Sequence, residues 1–211
     1  MSNISEITKK AALAFEQYAF TTPLQRAHFL ETIATNIEAL GDSLLEQANK
    51  ETNLPMPRLL GERGRTCFQL RMFANMLKEG NYVEASIDTA IATKTPPKPD
   101  IRKMMHPIGP VVVFGASNFP FAYSTAGGDT ASALAVGCPV IVKAHPAHLA
   151  TSNMVSEAIV QAAIATQMPD NVFQHVTDTS FETGKALVQD DNIYAVGFTG
   201  SRTGGRALLD Y

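Results

Sequence analysis

Four short runs rich in valine, isoleucine and phenylalanine punctuate the second half of this 211-residue chain: Pro110–Gly115, Pro139–Lys143, Asn171–Val176 and Ile193–Phe198. Helix-length segments alternate with them, at about 121–136, 150–167 and 181–189, and another begins near Ser201. No other feature constrains the fold as tightly. A strand apolar at every position has no wet face and must be covered on both sides, and strand–helix–strand alternation then builds a parallel sheet. The expected fold class is α/β, with a doubly covered parallel sheet.

The first ninety or so residues carry a helical period instead. Thr22 followed by Pro23 is a good helix start, because threonine accepts a backbone bond and proline in the first turn forfeits none. Ser2 or Ser5 is the expected cap of an earlier helix. Leu24, Leu30, Ile33, Ile37 and Leu40 recur at helical spacing until Gly41. A further helix, about 42–51, stops at Pro55 and Pro57. From Arg58 to Leu77, one stripe of Leu59, Leu60, Cys67, Leu70, Phe73 and Leu77 is read as core. Between about 85 and 99 the composition shifts to Ala, Thr, Lys and Pro, and "TPPKP" forbids regular helix. The expected organisation is a helical segment over 1–96, a connecting segment over 97–109 and a sheet core over 110–211.

Composition narrows the function. With 45% apolar and 18% charged residues the chain can bury a sizeable core. A net charge of −3 without a Lys/Arg cluster argues against a nucleic-acid partner. The longest apolar runs are broken by Gly, Pro or charge, which argues against a membrane span, and "MSNISEITKKAALAFEQYAF" lacks the layout of a signal peptide. Cys67 and Cys138 have no CxxC spacing and suggest neither a disulfide framework nor zinc, so a cytoplasmic location is expected. His145 and His148 have no carboxylate at ligand spacing and read as loop, so no metal is expected.

In parallel sheets ligands bind beyond the carboxyl ends of the strands. Three such ends are chemically unusual: Gly115, Ala116, Ser117 and Asn118 follow the first; Lys143 closes the second and leads to His145 and Pro146; Thr199, Gly200 and Ser201 follow the last. GxGxxG is missing from the first end, so the usual dinucleotide signal is not there. The last end opens a helix with a GxxxxG turn, Gly200 to Gly205, whose small residues allow backbone N–H groups to approach a phosphate or simply make a tight turn. Arg206 and Ala207 stand where a P-loop has Lys and Ser/Thr, which excludes that motif. Ser201 is a cap or a phosphate donor. Lys143 either snorkels to solvent or faces a ligand, and Asn118 is either a helix-entry cap or a functional amide.

Taken together, "GPVVVFGASNFPFAYSTAGGDTASALAVGCPVIVKAHPAH" and "AVGFTGSRTGGRAL" resemble the aldehyde dehydrogenase superfamily, in particular its α-ketoglutaric semialdehyde (2,5-dioxovalerate) and NADP-dependent fatty aldehyde branch. "PLQRAHFLETIATNIEALGDSLLEQANKET" is similar to that family's amino-terminal helices. The resemblance implies a Rossmann-like cofactor-binding domain and oxidation of an aldehyde or semialdehyde to a carboxylic acid. It implies that Asn118, of the "NFP" motif, donates its amide to the oxygen of a thiohemiacetal. Phe114, Gly115, Ala116 and Ser117 would line the nicotinamide side. Lys143 would hold the adenosine ribose or a 2′-phosphate, while Gly200, Ser201 and Gly204 would border the pyrophosphate. NAD-preferring members place glutamate three residues after the lysine; Pro146 stands there, which leans towards NADP, with NAD the alternative. An arginine of NADP-using members aligns with Phe181.

The resemblance also makes "KPDIRKMMHPIG" one limb of an oligomerisation element, hence a homo-oligomer. The family's attacking cysteine and general-base glutamate follow its "FTGS" helix, and neither Cys67 nor Cys138 matches that context. The chain is therefore expected to be the amino-terminal part of a longer enzyme and inactive alone. A non-catalytic nucleotide-binding or assembly module is the alternative.

Overall fold

The computed structural model describes residues 3–211. Four helices come first: α1 (Ile4–Tyr18), α2 (Pro23–Ala39), α3 (Gly41–Thr52) and α4 (Met56–Glu79). Thr22 caps α2 in a reciprocal box with Gln25, so both orphan donors at that end are satisfied. The cap of α1 is Asn3, whose side chain accepts from the Glu6 N–H; Ser5 lies inside the helix and Ser2 outside the described residues. A polar residue one position before the first helical residue is better placed to cap than one already in the turn.

Two members of the expected apolar stripes face solvent, Leu24 at 66% and Leu60 at 52% exposure. Both are explained by helical phase. Leu30, Ile33 and Ile37 are buried, and the same face one turn earlier is occupied by buried Arg26, whose Nε donates to the Ala135 carbonyl at 2.8 Å. Leu60 lies 100° around α4 from buried Leu59.

Beyond α4, β1 (Ser86–Asp88) and β2 (Ile101–Lys103) pair antiparallel into an exposed ribbon. Strands β3 (Val111–Phe114), β4 (Val140–Lys143), β5 (Phe173–Val176) and β6 (Ala195–Phe198) then form a parallel sheet in the order β5-β4-β3-β6. Between them run α5 (Gly128–Val136), α6 (Leu149–Ala165) and α7 (Phe181–Val188), and α8 (Arg202–Leu209) follows β6.

The two inner strands, β3 and β4, are buried along their whole length, as apolar strands require, but β6, at the edge of the sheet, is not: Val196 and Phe198 are exposed, so the expected double cover stops short of it. Val111, Val113, Val140, Val142 and Phe173 join the large core of α2, α4, α5 and α6. Val112, Phe114, Ile141 and Val176 pack with Ala11 of α1 and Leu187 of α7. One core thus takes in the amino-terminal helices and the sheet. Tyr18 ties them by donating its hydroxyl to the Leu134 carbonyl at 2.7 Å.

The expected helix over 121–136 starts only at Gly128, with Gly127 as its cap. Residues 121–127 form turns instead, and the N–H groups of Phe121 and Ala122 donate to the Glu62 carboxylate, at 2.8 and 3.0 Å. A side chain at Gly127 would also stand 2.4 Å from the Ala122 carbonyl oxygen.

Candidate functional site

Parallel pairing puts every strand's carboxyl end on one edge. The last residues of the four strands, Val176, Lys143, Phe114 and Phe198, share one register row. The chain winds outward from β3 through β4 to β5, then returns to place β6 on the other side of β3. That reversal is a switch point, where two loops diverge and leave a crevice.

A groove of about 280 Å³ lies at this edge, lined on the sheet side by Phe114, Lys143 and Phe198 and roofed by residues of α7 and α8. Lys143 is only 9% exposed, so it does not snorkel to bulk water. Its methylenes pass Gly184, where a side-chain carbon would sit 3.4 Å from the Phe114 ring and 3.8 Å from Lys143 Cε. Burial draws the Lys143 ammonium below the ordinary lysine range, and the Asp178 carboxylate partly opposes it. Asp178 is itself held low by the Ser180 N–H, which donates to it at 2.8 Å. Burial, followed by the neighbouring His148 and Lys143, lowers the His145 imidazole.

Two helices begin at the groove. Ser180 caps α7, accepting from Thr183 N at 3.2 Å, and Ser201 caps α8, accepting from Gly204 N at 3.1 Å. The Ser201 hydroxyl performs the capping role as acceptor, and its own O–H is left to donate. The glycines of the GxxxxG turn have a local reason too: a side-chain carbon at Gly200, Gly204 or Gly205 would approach the Phe198 ring to 2.6, 3.1 or 3.3 Å. Phe198 meets Phe114 edge-on, with centroids 6.3 Å apart.

Beyond β3 the chain turns over the same edge. Gly115 N donates to the Lys143 carbonyl at 3.1 Å, and a side chain at Gly115 would stand 3.0 Å from the Ser124 hydroxyl and 3.3 Å from the His145 backbone nitrogen. Ala116 is buried, its carbonyl 2.7 Å from His148 Nε2 and its N–H on the Tyr123 carbonyl at 2.8 Å. Ser117 and Asn118 are exposed at the tip. With α5 starting at Gly128, Asn118 caps no helix. Its backbone carbonyl accepts from Arg58 Nη2 of α4 at 2.7 Å.

Of the residues singled out in the sequence, Phe114, Lys143, His145, Pro146, Phe181 and Gly204 line the groove together. Gly115 adjoins it through His145, and Gly200 and Ser201 stand at the start of α8. Ala116, Ser117 and Asn118 belong to the loop next door and do not line it. Sequence reading missed Ser180, Gly184, Ala207 and Leu208 in the groove wall, as well as Glu62 and Arg58 behind the loop. Ser180, three residues before Thr183 and with Glu182 in the first turn, was a legible cap signal; the others depend on tertiary placement.

Comparison with known proteins agrees with this arrangement. The profile of the Aldehyde dehydrogenase family matches residues 1–210. The chain is 53% identical over 209 residues, 99% of its length, to α-ketoglutaric semialdehyde dehydrogenase 2 of Azospirillum brasilense. It is 46% identical over 211 residues to an α-ketoglutaric semialdehyde dehydrogenase of Acinetobacter baylyi. It spans 40% of the length of each relative. A betaine aldehyde dehydrogenase of Staphylococcus aureus shares the fold, with a TM-score of 0.85 at 19% identity over 99% of this chain and 39% of that one. The parallel sheet with its switch-point groove, and a family match along almost all of its length, together mean that this chain belongs to the aldehyde dehydrogenase family.

Proposed function

We propose that these 211 residues are the amino-terminal, cofactor-holding share of an enzyme that oxidises an aldehyde or semialdehyde to a carboxylic acid with NADP, or alternatively NAD. The groove at the switch point carries the proposal: a buried ammonium, two helix starts and small residues converge where an adenosine phosphate could be held. The two semialdehyde dehydrogenase relatives support a semialdehyde as the substrate class.

In this reading Lys143 binds the adenosine ribose or its 2′-phosphate. Pro146 leaves no carboxylate there to repel a phosphate, which favours NADP. Gly200, Ser201 and Gly204 border the pyrophosphate, and Phe114 to Ser117 flank the nicotinamide, which when bound accepts the hydride. Asn118 donates its amide to the oxyanion of the thiohemiacetal, a donor already aimed where charge develops. The attacking thiol is supplied by sequence outside these residues. Cys67 and Cys138 are both buried, and burial first of all pushes the Cys67 thiol up to about 11, far from the thiolate that attack needs.

The organisation proposed is a helical segment over 1–96, an oligomerisation limb over 97–109 and a Rossmann-like core over 110–211. Ile101, Met104, Met105 and Ile108 are exposed on the limb, which supports a homo-oligomer. Two free, buried cysteines fit a cytoplasmic setting. Among the described residues no helix is long and apolar enough to cross a membrane.

The test is steady-state oxidation of a short semialdehyde by the full-length enzyme. Asn118→Ala is expected to lower kcat by about a hundredfold, as removal of one oxyanion donor does. Unchanged turnover would remove Asn118 from the chemistry.

A further inference from the structure

One face of α4 grips the loop that carries Asn118, and nothing in the chemistry above accounts for it. Glu62, 6% exposed, points a carboxylate oxygen at the consecutive N–H groups of Phe121 and Ala122, at 2.8 and 3.0 Å. Both recipients are themselves buried. One turn earlier, Arg58 donates to the carbonyl of Asn118 itself at 2.7 Å and lies 5.0 Å over the Phe119 ring. Three residues after Glu62, Arg65 donates to the Tyr123 hydroxyl at 2.7 Å and lies 5.1 Å from its ring. Positions 58, 62 and 65 are spaced as i, i+4 and i+7, so they lie along one stripe.

The loop has a second anchor on the sheet side. Gly115 bonds Lys143, and His148 Nε2 meets the Ala116 carbonyl. Residues 117–120 are thus suspended between the sheet edge and α4. A buried carboxylate is costly, and only one oxygen of Glu62 is filled here, by the two N–H groups; Oε2 is buried without a partner, so the group is held at a cost that the fixed loop stem has to justify. The two N–H groups are held at the stem of the turn that carries the exposed tip.

We propose that Glu62 and Arg58 are positioning residues for Asn118: Glu62 fixes the stem of its loop and Arg58 fixes its own backbone carbonyl. The proposal rests on the reading of Asn118 as oxyanion donor. A misplacement of about an ångström costs transition-state stabilisation while leaving nearly untouched the cofactor affinity set at Lys143 and the α8 start, which lie elsewhere on the edge.

The experiment pairs two readouts on full-length enzyme: kcat and cofactor KM, and peptide-level hydrogen exchange over 116–123. For Glu62→Ala and Arg58→Ala we expect kcat to fall by about tenfold or more with cofactor KM changed by less than about threefold, and exchange to quicken locally in that segment. Glu62→Gln, which keeps an acceptor oxygen, should recover most of the loss. If Glu62→Ala does not fold, Arg58→Ala, at an exposed residue, decides the matter with the same readouts. Unchanged kcat in both alanine variants, while Asn118→Ala is crippled, overturns the positioning role and leaves the reading of Asn118 standing. Loss of protection spread evenly through the chain overturns it too, since that marks a stability residue only. If Asn118→Ala also turns over normally, both fall.

Discussion

Replacing Glu51 with alanine tests how the site's edge is held together. Helix α6 starts at Leu149, just past the strand end that carries Lys143, and its own cap residue His148 makes no side-chain cap bond. Glu51 of α3 does that work from a hundred residues away: its carboxylate accepts from Ala150 N at 2.8 Å, Thr151 N at 2.8 Å and Thr151 Oγ1 at 2.6 Å. A lost helix cap costs about 1 kcal/mol, and a lost anion at a helix start about another 0.3–1 kcal/mol, so Glu51→Ala should cost about 2 kcal/mol. For a chain of this size that is a fall in Tm of about 4–8 °C, read by circular dichroism at 222 nm and pH 7. Burial alone would raise the Glu51 carboxyl, but the Thr151 hydroxyl and the two N–H groups outweigh it, and the net shift is downward. A depressed carboxyl stabilises the fold above the unfolded glutamate pKa, and that contribution fades as pH falls through the lower, folded value. The gap between wild type and Glu51→Ala should therefore narrow in that acid window. Equal melting temperatures at pH 7, or a gap indifferent to acid, would refute the cap.

Lys143→Met should weaken NADP binding by about tenfold or more and NAD binding less, because a charged hydrogen bond to a phosphate outweighs one to a hydroxyl; isothermal calorimetry measures both. Since burial lowers the Lys143 ammonium, wild-type NADP affinity should begin to fall at a pH below the ordinary lysine range, and the methionine variant should lack that limb of the profile. Tyr18→Phe leaves the buried Leu134 carbonyl without its partner, and urea denaturation should report a loss of about 1–3 kcal/mol.

The two inner strands were legible because β-branched runs without a polar face admit few alternatives, whereas β5 carries Gln174 and His175 and β6 is exposed, so those two followed from the strand–helix alternation instead. The same logic failed where partners come from afar. Residues 121–127 look helical by composition, yet they form turns whose stem is held by Glu62, some sixty positions away, and whose end packs Gly127 against the Ala122 carbonyl. Leu24 and Leu60 are apolar but out of phase with the buried face, which the apolar residues alone did not reveal while Arg26 occupied a core position. The ribbon of β1 and β2 was invisible as strand, since three exposed residues each carry no alternation to read. At the site, strand-end residues could be picked out because the C-terminal edge of a parallel sheet is where ligands gather. The opposite wall could not, because Gly184, Ala207 and Leu208 come to the same groove as Lys143 only through the return of the chain by α7, β6 and α8. Nor could the tight fit of Phe198 on the glycine turn be read from spacing.

The most direct measurement is nucleotide binding to the purified protein by calorimetry, beside a variant in which Ala207, an exposed residue of the groove's α8 wall, is replaced by tryptophan. Saturable NADP binding to the wild type, lost in Ala207→Trp while its thermal melt is retained, is the predicted result. Equal binding by both proteins, or none by either, would contradict it.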